Sequence, residues 1–223
     1  MILSLDTTSE SGSLALVDSR GAIAELPMHS PDGFGHVVFG QLDLFLQKHR
    51  IGLEEIQCFA AAAGPGSFTG VRVGLAAIKG LAEATGKLAL GVSNLQAAAY
   101  FGTAPLRAVV LDARRGEVYG ALYDSDLKLI GAEIVSKFPA WLASLPAGQF
   151  EFVSTDFTPF GHLANPAIQV VRAPRGLAVA VGWIAARAFA AGQASDPAAI
   201  DANYVRRSDA ELFWRDTVPG ALP

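Results

Sequence analysis

The chain is predicted to fold as an α/β protein of two tandem lobes, and three observations carry that prediction. A three-strand meander precedes alternating strands and helices, the opening pattern returns 106 residues later, and a nine-residue glycine-rich loop joins an apolar run to a helix-like stretch. The first lobe takes residues 1–102, in the order βββαβαβα; a reduced second lobe takes residues 103–223.

Ile2–Asp6 reads as a strand, residues 7–13 as a polar turn and 14–18 as a second strand. Ser19-Arg20-Gly21 then turns the chain into a third strand at 22–27, which completes an antiparallel meander. A loop containing Gly, Pro and His leads to a helix at 36–49, followed by a strand at 56–63 and a helix at 70–84. Leu88–Val92 is a strand and residues 94–101 are a helix. At Arg107 the pattern restarts. Leu5-Asp6 matches Leu111-Asp112, and Leu16-Val17-Asp18-Ser19 matches Leu122-Tyr123-Asp124-Ser125, at a constant offset of 106. The second lobe continues through strands at 127–134, 150–154 and 168–172 and helices at 139–145 and 177–191, then runs out over residues 197–223.

The loop Gly64-Pro65-Gly66-Ser67-Phe68-Thr69-Gly70-Val71-Arg72 follows the apolar strand, and its glycines permit a sharp turn into a helix that Ser67 or Thr69 can cap. A helix start carries free N–H groups and partial positive charge, so Gly64, Gly66, Ser67, Thr69 and Gly70 are candidates for binding phosphate or carboxylate. Val71 follows Gly70, where a Walker A loop needs lysine. A tight connection without a ligand is the plain alternative.

A 223-residue chain with 51% hydrophobic residues has ample material for a core. Its net charge of −4, with only 17 Lys and Arg, argues against gripping nucleic acid alone, so any RNA role needs a partner. The single cysteine, Cys58, lies in the apolar run and reads as a buried thiol. No basic leader and no apolar stretch of about 18–20 residues is present, so the expectation is a cytoplasmic protein without membrane contact.

Asp6-Thr7-Thr8, the nine-residue loop, Asp112-Ala113-Arg114-Arg115-Gly116-Glu117-Val118-Tyr119 and, more weakly, Tyr204-Val205-Arg206 give the chain its likeness to a known family. On these residues it resembles the TsaB (YeaZ) family of the actin/hexokinase-like (ribonuclease H-like) ATPase superfold, which helps make threonylcarbamoyladenosine in tRNA. The family usually has proline shortly before the tyrosine, where this chain has Asn203. The resemblance implies a scaffold with no catalytic residue of its own. Its implied partners are a larger TsaD-like paralogue, which transfers threonylcarbamoyl to the adenosine beside the anticodon, and a small TsaE-like ATPase. It also implies a homodimer when alone, with tRNA contacted only indirectly.

The paralogue's metal-binding H-x-x-x-H pair falls here on Ser93-Asn94-Leu95-Gln96-Ala97-Ala98, and His29, His36, His49 and His162 offer no pair one helical turn apart. No metal is therefore expected. His36 is open to a partner or an anion, or is a plain surface histidine. No cofactor is required, and weak ATP or ADP binding stays open, with Asp6, Thr7 and Thr8 at the first hairpin as the groups that would meet magnesium and phosphate. At the second-lobe turn, Asp112, Arg114, Arg115 and Glu117 suit an anion, a charged partner or a solvated hairpin tip. A small-molecule kinase or ATPase is the second function, with Asp112 as base; a peptidase finds no support in the chain.

Two helices look too apolar for simple surface elements. Val37, Val38, Phe39, Leu42, Leu44, Phe45 and Leu46 cover most of the first, and Gly70, Gly74, Ala77, Leu81 and Ala84 line one face of the second. The expected partner interface is therefore Val38, Leu42, Phe45, Gly70, Gly74, Ala77 and Leu81; packing within the monomer is the alternative.

Overall fold

The computed structural model describes residues 1–146, 149–163 and 169–206. Strands β1 (Ile2–Asp6), β2 (Ser11–Asp18) and β3 (Gly21–His29) form the expected meander, and β4 (Cys58–Ala62) and β5 (Leu88–Val92) extend it in parallel beside β1. The sheet order is β3-β2-β1-β4-β5. Strands β6 (Leu106–Asp112), β7 (Glu117–Asp124), β8 (Leu129–Lys137), β9 (Glu151–Ser154) and β10 (Val170–Arg172) repeat it as β8-β7-β6-β9-β10. The offset of 106 seen in the sequence is thus a repeat of topology. Two such sheets with their helices make the two-lobe actin-like, ribonuclease H-like fold.

The helices are α1 (Val38–His49), α2 (Phe68–Thr85), α3 (Asn94–Ala99), α4 (Phe138–Ser144) and α5 (Ala178–Ala190). Every residue of β1 is buried, so the first sheet must be covered on both faces. On one face Leu3, Leu5, Leu14 and Leu16 meet Val38, Leu42 and Phe45 of α1 and Leu75 and Ile78 of α2. On the other, Ile2, Cys58, Ala60 and Ala62 meet Ala180, Val181 and Ala185 of α5, a helix that follows the second sheet in sequence. The exchange is mutual, because Leu95, Ala98 and Ala99 of α3 pack on Val109, Leu111 and Val153 of the second sheet. Helices α3 and α5 therefore form a shared middle layer. Each large apolar side chain buried there contributes roughly 1.5–3 kcal/mol.

Element boundaries shift for identifiable reasons. β2 starts at Ser11 inside the expected polar turn, because Ser13 is buried and its hydroxyl accepts from the Ala178 N–H of α5 at 2.9 Å. β3 runs through Pro27 to His29, tolerable at a sheet edge where the missing N–H faces no partner strand. Of the two candidate caps, Ser67 caps α2, its Oγ accepting from Gly70 N. Three 3₁₀ turns, Leu53–Glu55, Gly161–Leu163 and Pro197–Ala199, carry no periodicity that the sequence could reveal. The expected strand at 168–172 is described only from residue 169 onward, and most of the tail at 197–223 lies outside the described residues.

The expected partner interface is corrected here. Val38, Leu42, Phe45, Gly70, Gly74 and Ala77 are buried inside the first lobe, and Leu81 packs half-buried against the same core. The small residues serve a close approach within the chain: a Cβ on Gly70 would lie 2.1 Å from Thr7 O, and one on Gly74 would lie 2.6 Å from Thr7 Oγ1. The outward glycines of the same helix layer differ, since a Cβ on Gly40 or Gly80 would meet nothing within 4 Å. Gly74→Ala is expected to destabilise the chain by about 1–3 kcal/mol, whereas Gly80→Ala is expected to stabilise it by roughly 0.5–1 kcal/mol. Urea unfolding of the two variants checks the opposite signs.

Candidate functional site

β1 ends at Asp6, where the chain turns through Thr7 and Thr8 toward β2. The carboxylate is buried, and both oxygens are engaged. Oδ1 accepts from Thr8 N at 2.9 Å and Thr8 Oγ1 at 2.6 Å, and Oδ2 accepts from Leu177 N at 2.9 Å, at the start of α5. Burial pushes the Asp6 pKa up, and these three hydrogen bonds oppose the shift. Leu177 N is among the unpaired donors of a helix start, so Asp6 caps α5 from the other lobe.

Thr7 and Thr8 are equally committed. Thr7 Oγ1 donates to Gly70 O at 2.7 Å, Thr8 O accepts from Ser67 N at 2.7 Å, and Thr8 Oγ1 accepts from Asn94 Nδ2. A Cβ on Gly66 would lie 2.7 Å from Thr8 O. The room cleared by the glycines is thus filled by the chain's own first turn. Asn94 also closes on Gly64 from both sides, its Oδ1 accepting from Gly64 N at 3.0 Å and its N donating to Gly64 O at 2.8 Å.

A cleft of about 720 Å³ remains between the lobes, with Gly66 and Ser67 on one side and Asp112 and Arg114 on the other. Thr69 is exposed and lies outside this lining. Asp112 accepts from Arg114 N at 2.7 Å and faces its guanidinium at 3.6 Å, which closes the second-lobe turn on itself. Arg114, Arg115 and Gly116 all adopt left-handed backbone angles, with φ of 66°, 55° and 70°. Lys137 Nζ donates to Arg115 O at 2.6 Å, and Glu117 pairs with Arg206. Arg175 spans the cleft mouth, 3.9 Å from Glu10 and 3.2 Å from Asp156. Hydrogen bonds from Thr158, aided by Arg175, hold the Asp156 carboxyl below its ordinary range.

This geometry offers a polar cleft whose first-hairpin carboxylate faces a helix end. Among the described residues no group of three or more His, Cys, Asp or Glu is placed to hold a metal ion. His36 is exposed, and His49 packs edge-on against Phe45 at 5.0 Å. Burial pushes the Cys58 thiol up to about 11, so it stays protonated at neutral pH. No helix among the described residues is long and apolar enough to cross a membrane.

The other candidate is the outer face of α1 and α2. Phe39 and Leu44 stand 56% and 61% exposed on α1, and Phe68 stands 43% exposed at the start of α2. The Arg72 guanidinium lies 3.7 Å over the Phe68 ring. Sequence reading found the surplus apolar arc of α1 but placed the interface on its buried half. The residues do not announce Asn94 or Arg175 as parts of the site, because their partners lie far away in the chain; only Asn94, at a helix start after a strand, carries a local signal.

Residues 40–150 match the family described as TsaD, tRNA N6-adenosine threonylcarbamoyltransferase. The chain is 34% identical to the tRNA threonylcarbamoyladenosine biosynthesis protein TsaB of Haemophilus influenzae over 122 residues, which cover 53% of this chain and 51% of that one. It is 34% identical to the Escherichia coli protein of the same name over 129 residues, covering 56% and 55%. The chain thus spans about half the length of these relatives. A crystal structure of an uncharacterised Pseudomonas aeruginosa protein with similarity to peptidase YeaZ superposes with a TM-score of 0.79 at 25% identity, over 92% of this chain and 99% of that one.

The raised Asp6 pKa fixes the sign of a pH dependence. The native chain holds this proton more tightly than the unfolded chain, so the Asp6 contribution to stability is full below the unfolded value of about 3.9 and declines as pH rises through the folded value. The stability difference between the native sequence and Asp6→Asn, followed by urea unfolding from acid to neutral pH, is expected to shrink as pH rises. Asp6→Ala strands three donors and is expected to lose about 3 kcal/mol.

Proposed function

Because the chain belongs to the TsaB (YeaZ) family, we propose that it is the scaffold subunit for threonylcarbamoyl transfer to the tRNA adenosine beside the anticodon. It acts through a complex with a TsaD-type transferase and a TsaE-type ATPase, and performs no transfer itself. The observation that carries this reading is the exposed side of α1, where Phe39 and Leu44 stand 56% and 61% exposed on either side of Gly40 in sequence. Exposed aromatic and aliphatic side chains grouped on one helix suit a contact surface. A glycine inside a helix costs stability, and among the described residues none lies close enough to Gly40 or Gly80 to require one.

The match to the TsaD family over residues 40–150 takes in α2 and all of α1 but its first two residues, so a transferase of the same fold would present a corresponding pair of helices. Two such pairs meet across a pseudo-two-fold axis, and the same face lets the isolated chain pair with itself. tRNA is then held mainly by the partner, in keeping with the net charge of −4. The two lobes divide at residues 102/103, and the protein works in the cytoplasm. Asp6 supports the non-catalytic part, because its two oxygens serve Thr8 and Leu177. The interlobe cleft favours one further reading, weak ATP or ADP binding without turnover.

Phe39→Asp with Leu44→Asp is expected to leave the fold intact by circular dichroism. Co-purification with the TsaD-type subunit should weaken by about 100-fold or more, because the charges would be desolvated on contact. A tRNA modification assay should lose product when this variant replaces the native chain; unchanged association would overturn the reading. Brisk magnesium-dependent ATP hydrolysis by the native chain alone, abolished in Asp112→Asn, would favour a kinase or ATPase instead.

A further inference from the structure

After the 3₁₀ turn Pro197–Ala199, the chain crosses from the end of β4 to the turn between β6 and β7. Asn203 N donates to Ala63 O at 2.7 Å, and its Nδ2 donates to Glu133 Oε2 at 2.6 Å. Glu133 belongs to β8, and its Oε1 accepts from Tyr123 OH at 2.6 Å and from Ser93 Oγ, so one carboxylate joins the second sheet, the start of α3 and this segment. Tyr204 packs against Phe68 with ring centroids 5.6 Å apart and planes tilted by 33°, and its hydroxyl accepts from Arg72 Nε at 3.0 Å. Arg206 donates to Ala113 O at 2.9 Å, pairs with Glu117, and lies 5.7 Å over the Tyr119 ring.

We propose that residues 203–206 form a strap that couples the glycine-rich loop and the start of α2 in the first lobe to the β6–β7 turn in the second. Three successive anchors within four residues leave little slack, and each grips a different element. Asn203 holds the end of β4 and, through Glu133, the edge of the second sheet. Tyr204 clamps the first turn of α2 through the ring of Phe68 and the guanidinium of Arg72. Arg206 clamps the left-handed turn at Arg114–Gly116 through the residues on either side of it. A charge-assisted bond of the Arg206 type is among the stronger polar contacts, so its loss is felt at the other anchors. The strap is a property of the single chain and stands whether or not the outer helix face meets a partner.

Amide hydrogen exchange on the isolated full chain tests it. The reporters are Ser67 and Val71, bonded to Thr8 O and Ser67 O in the first lobe, and Ala113 and Glu117, bonded across the second-lobe turn. Arg206→Ala is expected to raise exchange at Ser67 and Val71 by about tenfold, although Arg206 touches only the other lobe. Asn203→Ala is expected to raise it likewise at Ala113 and Glu117, and Glu117→Gln to reproduce the Arg206 pattern from the far side. The amides of Arg50 and Ile51 at the end of α1 should not change. Exchange that rises only beside each mutated side chain overturns the proposal, and so does a uniform rise that includes Arg50 and Ile51.

Discussion

A single buried carboxylate organises this molecule. Asp6 closes β1, fixes the turn through Thr8 and caps α5, so the strand at the centre of one sheet is fastened to the helix that follows the other. Taking such a charge out of water is costly, and three donors aimed at two oxygens offset part of that cost. Once that turn is set, Thr7 and Thr8 can be approached by Gly66, Gly70 and Gly74 to distances that no side chain would allow. Asn94 then ties the same turn to the end of β4. The oxygen atoms of this first turn are thus committed to internal hydrogen bonds.

Much of this architecture could be read in the residues. The meander, the restart near Arg107 and the repeated strand order follow from alternation, turn residues and a constant offset, which are local signals. The facing of α1 was not legible, because a surplus apolar arc says that two sides are covered without saying which side meets the sheet. Val38, Leu42 and Phe45 face the core while Phe39 and Leu44 face outward, and only the placement of the sheet decides between them. From the sequence alone the glycines of the loop fit a sharp turn or an anion site. A glycine records that something comes close; it does not record what, and here it is the backbone of Thr7 and Thr8. Glu133 gave no sign at all, since Ser93, Tyr123 and Asn203 reach it from 40, 10 and 70 residues away.

The two surfaces that the fold leaves available differ in character. The interlobe cleft is polar and crossed at its mouth by Arg175, which meets a carboxylate from each lobe. Exposed ion pairs of this kind add little stability, so the cleft is held in shape mainly by the buried layers beneath it. The exposed side of α1 is apolar at Phe39 and Leu44, and a Cβ on Gly40 between them in sequence would meet nothing within 4 Å among the described residues.

The middle layer bears on folding. Because α5 covers the first sheet and α3 covers the second, the duplicated halves are interlocked, and a cut between α3 and β6 would strip an apolar wall from each. Severed from its twin, either half is expected to present a bare apolar sheet to water and to aggregate rather than stand as an independent unit.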